Sequence, residues 1–303
     1  MTSELDHLPD RKRRDLERAV QILFAEFEDA IVLTTQKWKK QGRILKVILY
    51  GSYARGDWVE DPVGGYFSDY DLLVVVSDQR LTDTVDYWAK ADDHLTREVT
   101  IARTISAPVN FIVHGFEDVN DQLQRGRSFF IDVVEQGIVL YEAEGHPFAK
   151  PKPLTPEAAL IEARANFDQW FPKSLTALKG ANFYVAEGDN NDAAFLMHQT
   201  VERLYHCVLL VLTLYSPKSH KLNFLRGQAE DLVPALIEAW PRATKTEQRC
   251  FELLRQAYVN ARYSPHYTIT REQLDWIAEG IERLQSLVRD ACEQRLAGLA
   301  EAA

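Results

Sequence analysis

Apolar residues recur at three- and four-residue steps from about Arg11 to Lys40: Leu16, Val20, Leu23, Phe24, Phe27, Ile31 and Leu33. That period predicts a long amphipathic helix. The pattern then shortens. KVILYGS (46–52) reads as a buried strand closed by a glycine turn. The turn-rich stretch YARGDWVEDPVGGYFS (53–68) leads into DYDLLVVVS (69–77), a β-branched apolar run with polar ends and a second strand. Helical period returns over 82–98, APVNFIVH (107–114) is a third strand, 117–136 is helical again, and GIVLYE (137–142) is a short fourth strand. Strands alternating with helical crossovers predict a small mixed-sheet domain flanked by helices.

Residues 145–156, GHPFAKPKPLTP, hold four prolines and carry neither period. They read as a linker. Beyond them every segment is helical by pattern: about 156–187, 190–214, 221–239, 244–263 and 270–298. Thr155 before Pro156 and Glu157, and Thr270 before Glu272, are helix-start signals. The fold class is therefore α+β. A mixed-sheet domain spans 1–144, a Pro-rich linker 145–156, and an all-α antiparallel bundle 157–303. The segment 194–215 is richer in Leu and Val than one bundle face requires, which predicts a homo-oligomer, a dimer in the simplest case.

The net charge of −10 is uneven: residues 1–150 hold 18 Lys and Arg against 26 Asp and Glu, and the remainder 17 against 19. An acidic chain is a poor general ligand for nucleic acid, whose affinity rests on neutralised phosphates. RKRR at 11–14 then reads as the solvated start of a helix. The three cysteines, Cys207, Cys250 and Cys292, are scattered and match no zinc spacing, and they read as separate packed thiols. No apolar run reaches membrane-spanning length, and the N-terminus has no apolar signal core. The chain is expected in the cytosol, without membrane partners.

The chemistry concentrates in two places. Gly51 and Ser52 follow a strand directly, and Asp69 and Asp71 open the next one. Residues i and i+2 of a strand share a face, so the two carboxylates project together and Tyr70 points away. Adjacent carboxylates need a cation, and hard oxygen ligands beside a phosphate are what Mg2+ takes. Gly51 allows close backbone approach, and Ser52 offers a hydroxyl and an N–H to a phosphate. No P-loop and no G-x-G-x-x-G occurs, which counts against the other common nucleotide-binding designs.

GSYARGD (51–57) followed by SDYDLLVVV (68–76) resembles the DNA polymerase-beta-like nucleotidyltransferases, above all the minimal bacterial members, over about residues 10–142. The resemblance implies transfer of a nucleoside monophosphate from a triphosphate, with ATP the expected donor, to a hydroxyl on a small molecule, an RNA end or a protein Tyr. It implies Mg2+ on Asp69 and Asp71, and a triphosphate held by Gly51 and Ser52, with Arg55 matching a frequent Arg-Gly of the family. The spacer from Ser52 to Asp69 is sixteen residues, longer than in the minimal members, and is expected to form a flap. At the family's third carboxylate stands Asn110, an amide that can ligate but is no general base. Glu60, Asp61 and His114 are then the candidate bases.

In the helical half, His198, Glu202 and His206 form a stripe at i, i+4 and i+8, expected to be a buried hydrogen-bonded set, joined by Gln199 and Tyr205, more than a metal site. Arg262 and His266 flank a helix end at Pro265, and on chemistry alone either could act on a phosphodiester or simply cap the helix. This half resembles the HEPN domains over about 156–298, many of which place four to six residues between an Arg and a following His. Here three residues separate Arg262 from His266. The resemblance implies that the helical domain shapes the acceptor site. It also admits ribonuclease action by Arg262 and His266 in a toxin–antitoxin or defence setting, a non-catalytic nucleotide-binding adaptor, or self-modification at Tyr263 or Tyr267.

Overall fold

The computed structural model describes residues 5–32, 34–61 and 66–303. The chain divides into two compact units, Met1–Pro153 and Leu154–Ala303.

In the first unit α1 (Asp10–Val32) is followed by a short helix α2 (Lys37–Lys40), so the helix expected over 11–40 is two. Gln36 is extended at φ −76°, ψ 120°. The paired β-branched residues Thr34 and Thr35 precede it, and both disfavour helix. Strand β1 (Ile44–Tyr50), the single turn α3 (Ser52–Arg55) and the two-residue strands β2 (Glu60–Asp61) and β3 (Tyr66–Phe67) lead to β4 (Tyr70–Val76). Helix α4 (Ala89–Arg97) crosses over to β5 (Val109–Gly115). The helix expected over 117–136 is broken into α5 (Phe116–Gln124) and α6 (Ser128–Gln136) before β6 (Ile138–Glu142). Gly126 lies between them at φ 69°, a conformation that favours glycine.

The four main strands form one mixed sheet in the order β5-β4-β1-β6. β1 runs antiparallel to β4 and β6, and β5 runs parallel to β4. β1 and β4 are buried along their whole length, which explains why all but Lys46 and Asp71 in them are apolar. Alternation sorts the side chains onto two faces. Val47, Leu49, Tyr70, Leu72, Val74 and Val76 join one core with Leu16, Ala19, Leu23 and Phe27 of α1. Asp71 and Asn110 belong to the other face, with Tyr50, whose ring meets Phe129 of α6 edge-on at 5.4 Å.

The second unit is helical: α7 (Pro156–Glu187), α8 (Asn190–Thr213), α9 (Leu222–Leu232), α10 (Lys245–Tyr263) and α11 (Arg271–Ala302). Thr155 caps α7, and Thr244 and Thr270 form capping boxes with Glu247 and Gln273. The segment expected as one helix over 221–239 stops at Leu232, because Pro234 opens a 3-10 turn (Pro234–Ala239). Gly188, left-handed at φ 83°, turns α7 back into α8. Helix α8 packs against α7, α9, α10 and α11. As the central helix it is buried on nearly every side. Cys207 and Cys292, far apart in sequence, are neighbours in this core, and the hydrogen bond to Cys207, with burial, pushes the Cys292 thiol up. No helix among the described residues is long and apolar enough to cross a membrane.

Candidate active site

The site begins where β1 ends. Gly51 stands at φ 71°, ψ −155°, a region open in practice only to glycine. Its carbonyl accepts from the N–H groups of Ala54 and Arg55, and the Ser52 carbonyl accepts from Gly56 and Asp57. A sharp bend is thereby locked directly after a rigid strand, with Ser52 buried at 6% exposure. Replacing Gly51 with alanine forces that backbone out of its well, at about 1–3 kcal/mol of strain. Displacement of a reacting group by about 1 Å costs on the order of 100-fold in rate. Gly51→Ala is therefore expected to lose about that much transfer activity while keeping its circular-dichroism spectrum.

Register sets the acids beside this bend. Tyr50 pairs with Asp71 across β1 and β4, and Asp71 pairs with Asn110 across β4 and β5. Asp71 is buried. Asp69 lies one residue ahead of β4, and the Asn110 Nδ2 donates to its Oδ2 at 2.7 Å. Asp69, Asp71 and Asn110 thus come together on one face, at the end of the sheet nearest the Gly51 bend. Asn110 orients Asp69 by a charge-assisted bond without adding a third negative charge. Among the described residues no group of three His, Cys, Asp or Glu side chains could hold a metal ion. Two carboxylates are what remain, and that donor set fits Mg2+, which commonly takes one or two carboxylates and completes its shell with phosphate and water.

Two of the candidate bases, His114 and Glu60, are placed elsewhere. His114 pairs with Val75, four residues along β5 from Asn110, and its Nδ1 is 2.6 Å from Asp118 Oδ2. Glu60 is held in an ion pair by Lys12. The Asp61 side chain, and Gly64 and Gly65 of the expected flap, lie outside the described residues. Arg55 reaches Asp57, with Nε 3.2 Å from Oδ2.

Lys12 departs most from expectation. It was read as part of a solvated basic start, yet it is buried, and so is Asp15. Both extend the Leu16, Ala19, Leu23 and Phe27 stripe backward by one turn. The signal was present as two polar residues on an apolar face. The Lys12 ammonium donates to Tyr53 Oη and Ser106 Oγ, each at 3.1 Å. The Asp15 carboxylate accepts from Tyr70 Oη at 3.0 Å, from the Ser106 N–H at 2.9 Å and from the Ser106 hydroxyl. The Tyr53 and Tyr70 rings meet at 4.3 Å. Burial, with the negative charges of Glu60 and Asp15 beside Tyr53 and of Asp15 beside Tyr70, pushes both phenols up, so both stay protonated.

In the helical unit the His198, Glu202 and His206 stripe is buried as expected. Gln199 donates to Glu202 Oε2 at 3.2 Å. Tyr205 does not join, because its hydroxyl accepts from Trp240 Nε1 at 2.9 Å. Two residues outside the pattern do: His220 Nδ1 is 3.0 Å from Glu202 Oε1, and Ser216 Oγ is 2.6 Å from His206 Nδ1. Desolvation lowers His198 to about 3 and His206 to about 4, so both are neutral, and it raises Glu202. Arg262 and His266 are given different neighbours. The Arg262 guanidinium lies over the rings of Phe195, Tyr258 and Tyr263 and donates to the Tyr258 carbonyl. His266 lines a small cavity with Arg249, Gln256 and Asn260, on a different side of α10.

The family model described as polymerase beta nucleotidyltransferase matches residues 34–119, and that of the HEPN domain matches residues 167–291. A Methanocaldococcus jannaschii protein named as a protein adenylyltransferase is 35% identical over 105 residues, which cover 35% of this chain and 86% of that relative. The chain belongs to the polymerase beta nucleotidyltransferases. It joins that domain to a HEPN domain in one polypeptide.

Proposed function

We propose that this chain moves a nucleoside monophosphate from a nucleoside triphosphate, ATP first among them, to a hydroxyl acceptor, with Mg2+ held by Asp69 and Asp71. The observation that carries the reading is the convergence of Asp69, Asp71 and Asn110 beside the Gly51–Ser52 bend. Bound there, the ion would neutralise charge on the triphosphate. The chain's own groups do the rest. The Gly51 bend and the Ser52 hydroxyl receive a phosphate oxygen, and Asn110 holds Asp69 in position. The acceptor oxygen bonds to the α-phosphorus, the bridging bond to the β-phosphate breaks, and pyrophosphate leaves. Asn110, an amide, takes no proton, so the acceptor proton leaves to another group or to solvent.

Incubation with each of the four α-labelled triphosphates and Mg2+ tests this. Label transfer with pyrophosphate release, strongest with ATP, is expected; no release with any of the four overturns it.

The relative's name supports a protein hydroxyl as acceptor. Of the two tyrosines near the end of α10, Tyr263 is 73% exposed. Tyr267 is buried and donates its hydroxyl to the Leu253 carbonyl at 2.9 Å. Peptide mapping of self-labelled protein should therefore find nucleotide on Tyr263 and none on Tyr267. Label on Tyr267 would show that the loop after α10 opens.

A further inference from the structure

Three pieces of the site need outside support. The bend carrying Gly51 and Ser52 runs into α3, which has four residues and is far too short to hold itself. Asp69 lies ahead of its strand, and Asn110 lies on a strand whose entry is the loop containing Ser106. Each piece has one residue reaching through to the opposite face of the sheet. Tyr53 follows Ser52, Tyr70 sits between the two acids, and Ser106 precedes Asn110 by four residues.

All three end on α1. Lys12 Nζ donates to Tyr53 and Ser106, and Asp15 on the same helix accepts from Tyr70 and Ser106. The ammonium also lies 5.4 Å and 5.7 Å from the centroids of the Tyr53 and Tyr70 rings. Its remaining capacity goes to Glu60, the first residue of β2. A lysine with its side chain 6% exposed loses most of its hydration, and only a full set of partners compensates. Lys12 meets that condition with partners drawn from every segment that carries the site. Strand alternation couples the Tyr70 ring rigidly to Asp71 on the other face.

We propose that Lys12 is a positioning residue for the nucleotidyl-transfer site. Working with Asp15, it sets the Gly51–Ser52 bend at the distance from Asp69 and Asp71 that lets one Mg2+-bound triphosphate span both. The assignment rests on the nucleotidyl-transfer reading. It adds a helix that lies ahead of the segment matched by the nucleotidyltransferase family model, which begins at residue 34.

The test is calorimetric binding of a nonhydrolysable ATP analogue to the full chain, with Mg2+ and with EDTA. Wild type should bind more tightly with Mg2+. Lys12→Met, folded by circular dichroism, should lose at least tenfold in the Mg2+ complex and little in EDTA, because the bend and the acids no longer meet one ligand. Ile22→Val, a buried change on α1 outside the polar set, should lower the melting temperature without altering the Mg2+ effect. Lys12→Met binding within twofold of wild type overturns the proposal. If Lys12→Met does not fold, Ser106→Ala, which removes a hydroxyl shared by Lys12 and Asp15, is judged by the same criterion. Wild type showing no Mg2+-dependent binding overturns the nucleotidyl-transfer reading itself, and this assignment with it.

Discussion

Replacing Asp71 with asparagine is expected to lower nucleotidyl transfer about a thousandfold. The substitution keeps the shape of a buried side chain between Tyr50 and Asn110. It removes one of the two charges that would hold the ion and its triphosphate. A metal clamp on a transferring phosphoryl group supplies several kcal/mol, and about 4 kcal/mol corresponds to roughly a thousandfold in rate. Any stabilisation of wild type by Mg2+ with nucleotide should vanish in the variant. Transfer by Asp71→Asn at the wild-type rate would remove the basis of the proposed function.

The second large effect is one of stability. Trp240→Ala should destabilise the helical unit by about 3–5 kcal/mol. Trp240 is 1% exposed and packs so closely on Gly280 that a Cβ there would come within 2.4 Å of the indole ring. Its Nε1 donates to the Tyr205 hydroxyl, which is itself fully buried. Truncation leaves both a cavity and an unsatisfied hydroxyl. For a unit of this size the expected fall in melting temperature is about 10 °C. Nucleotide binding at 20 °C should be unchanged, since the first unit has its own core. A melting temperature within 2 °C of wild type would show that the bundle closes around the gap.

Much of the architecture was legible from residue order, for reasons that are local. Runs such as ILKVILY and YDLLVVV are apolar apart from Lys46 and Asp71 because both faces of their strands are covered. Thr155 and Thr270 mark helix starts because capping acts over three residues. Where one helix was expected and two formed, the breakers were ordinary: Thr34 with Thr35, Gly126 and Pro234. A period count passes over them because it averages across a window. The apolar stripes are legible, but Lys12, which lies on one of them, reads as surface because it sits in the RKRR run.

Alone, the sequence determined which residues share a face. Asp69 and Asp71 had to project together, Tyr70 had to point away, and Gly51 had to permit a bend that other residues resist, because these follow from backbone geometry over a few bonds. Tertiary structure alone decided which faces meet. It brought Asn110 onto Asp69 from 41 residues away and turned Lys12 inward onto Tyr53. It added His220 to Glu202, and it separated the surroundings of Arg262 from those of His266. Such pairings depend on strand register and helix packing, which join positions whose separation along the chain carries no local signal.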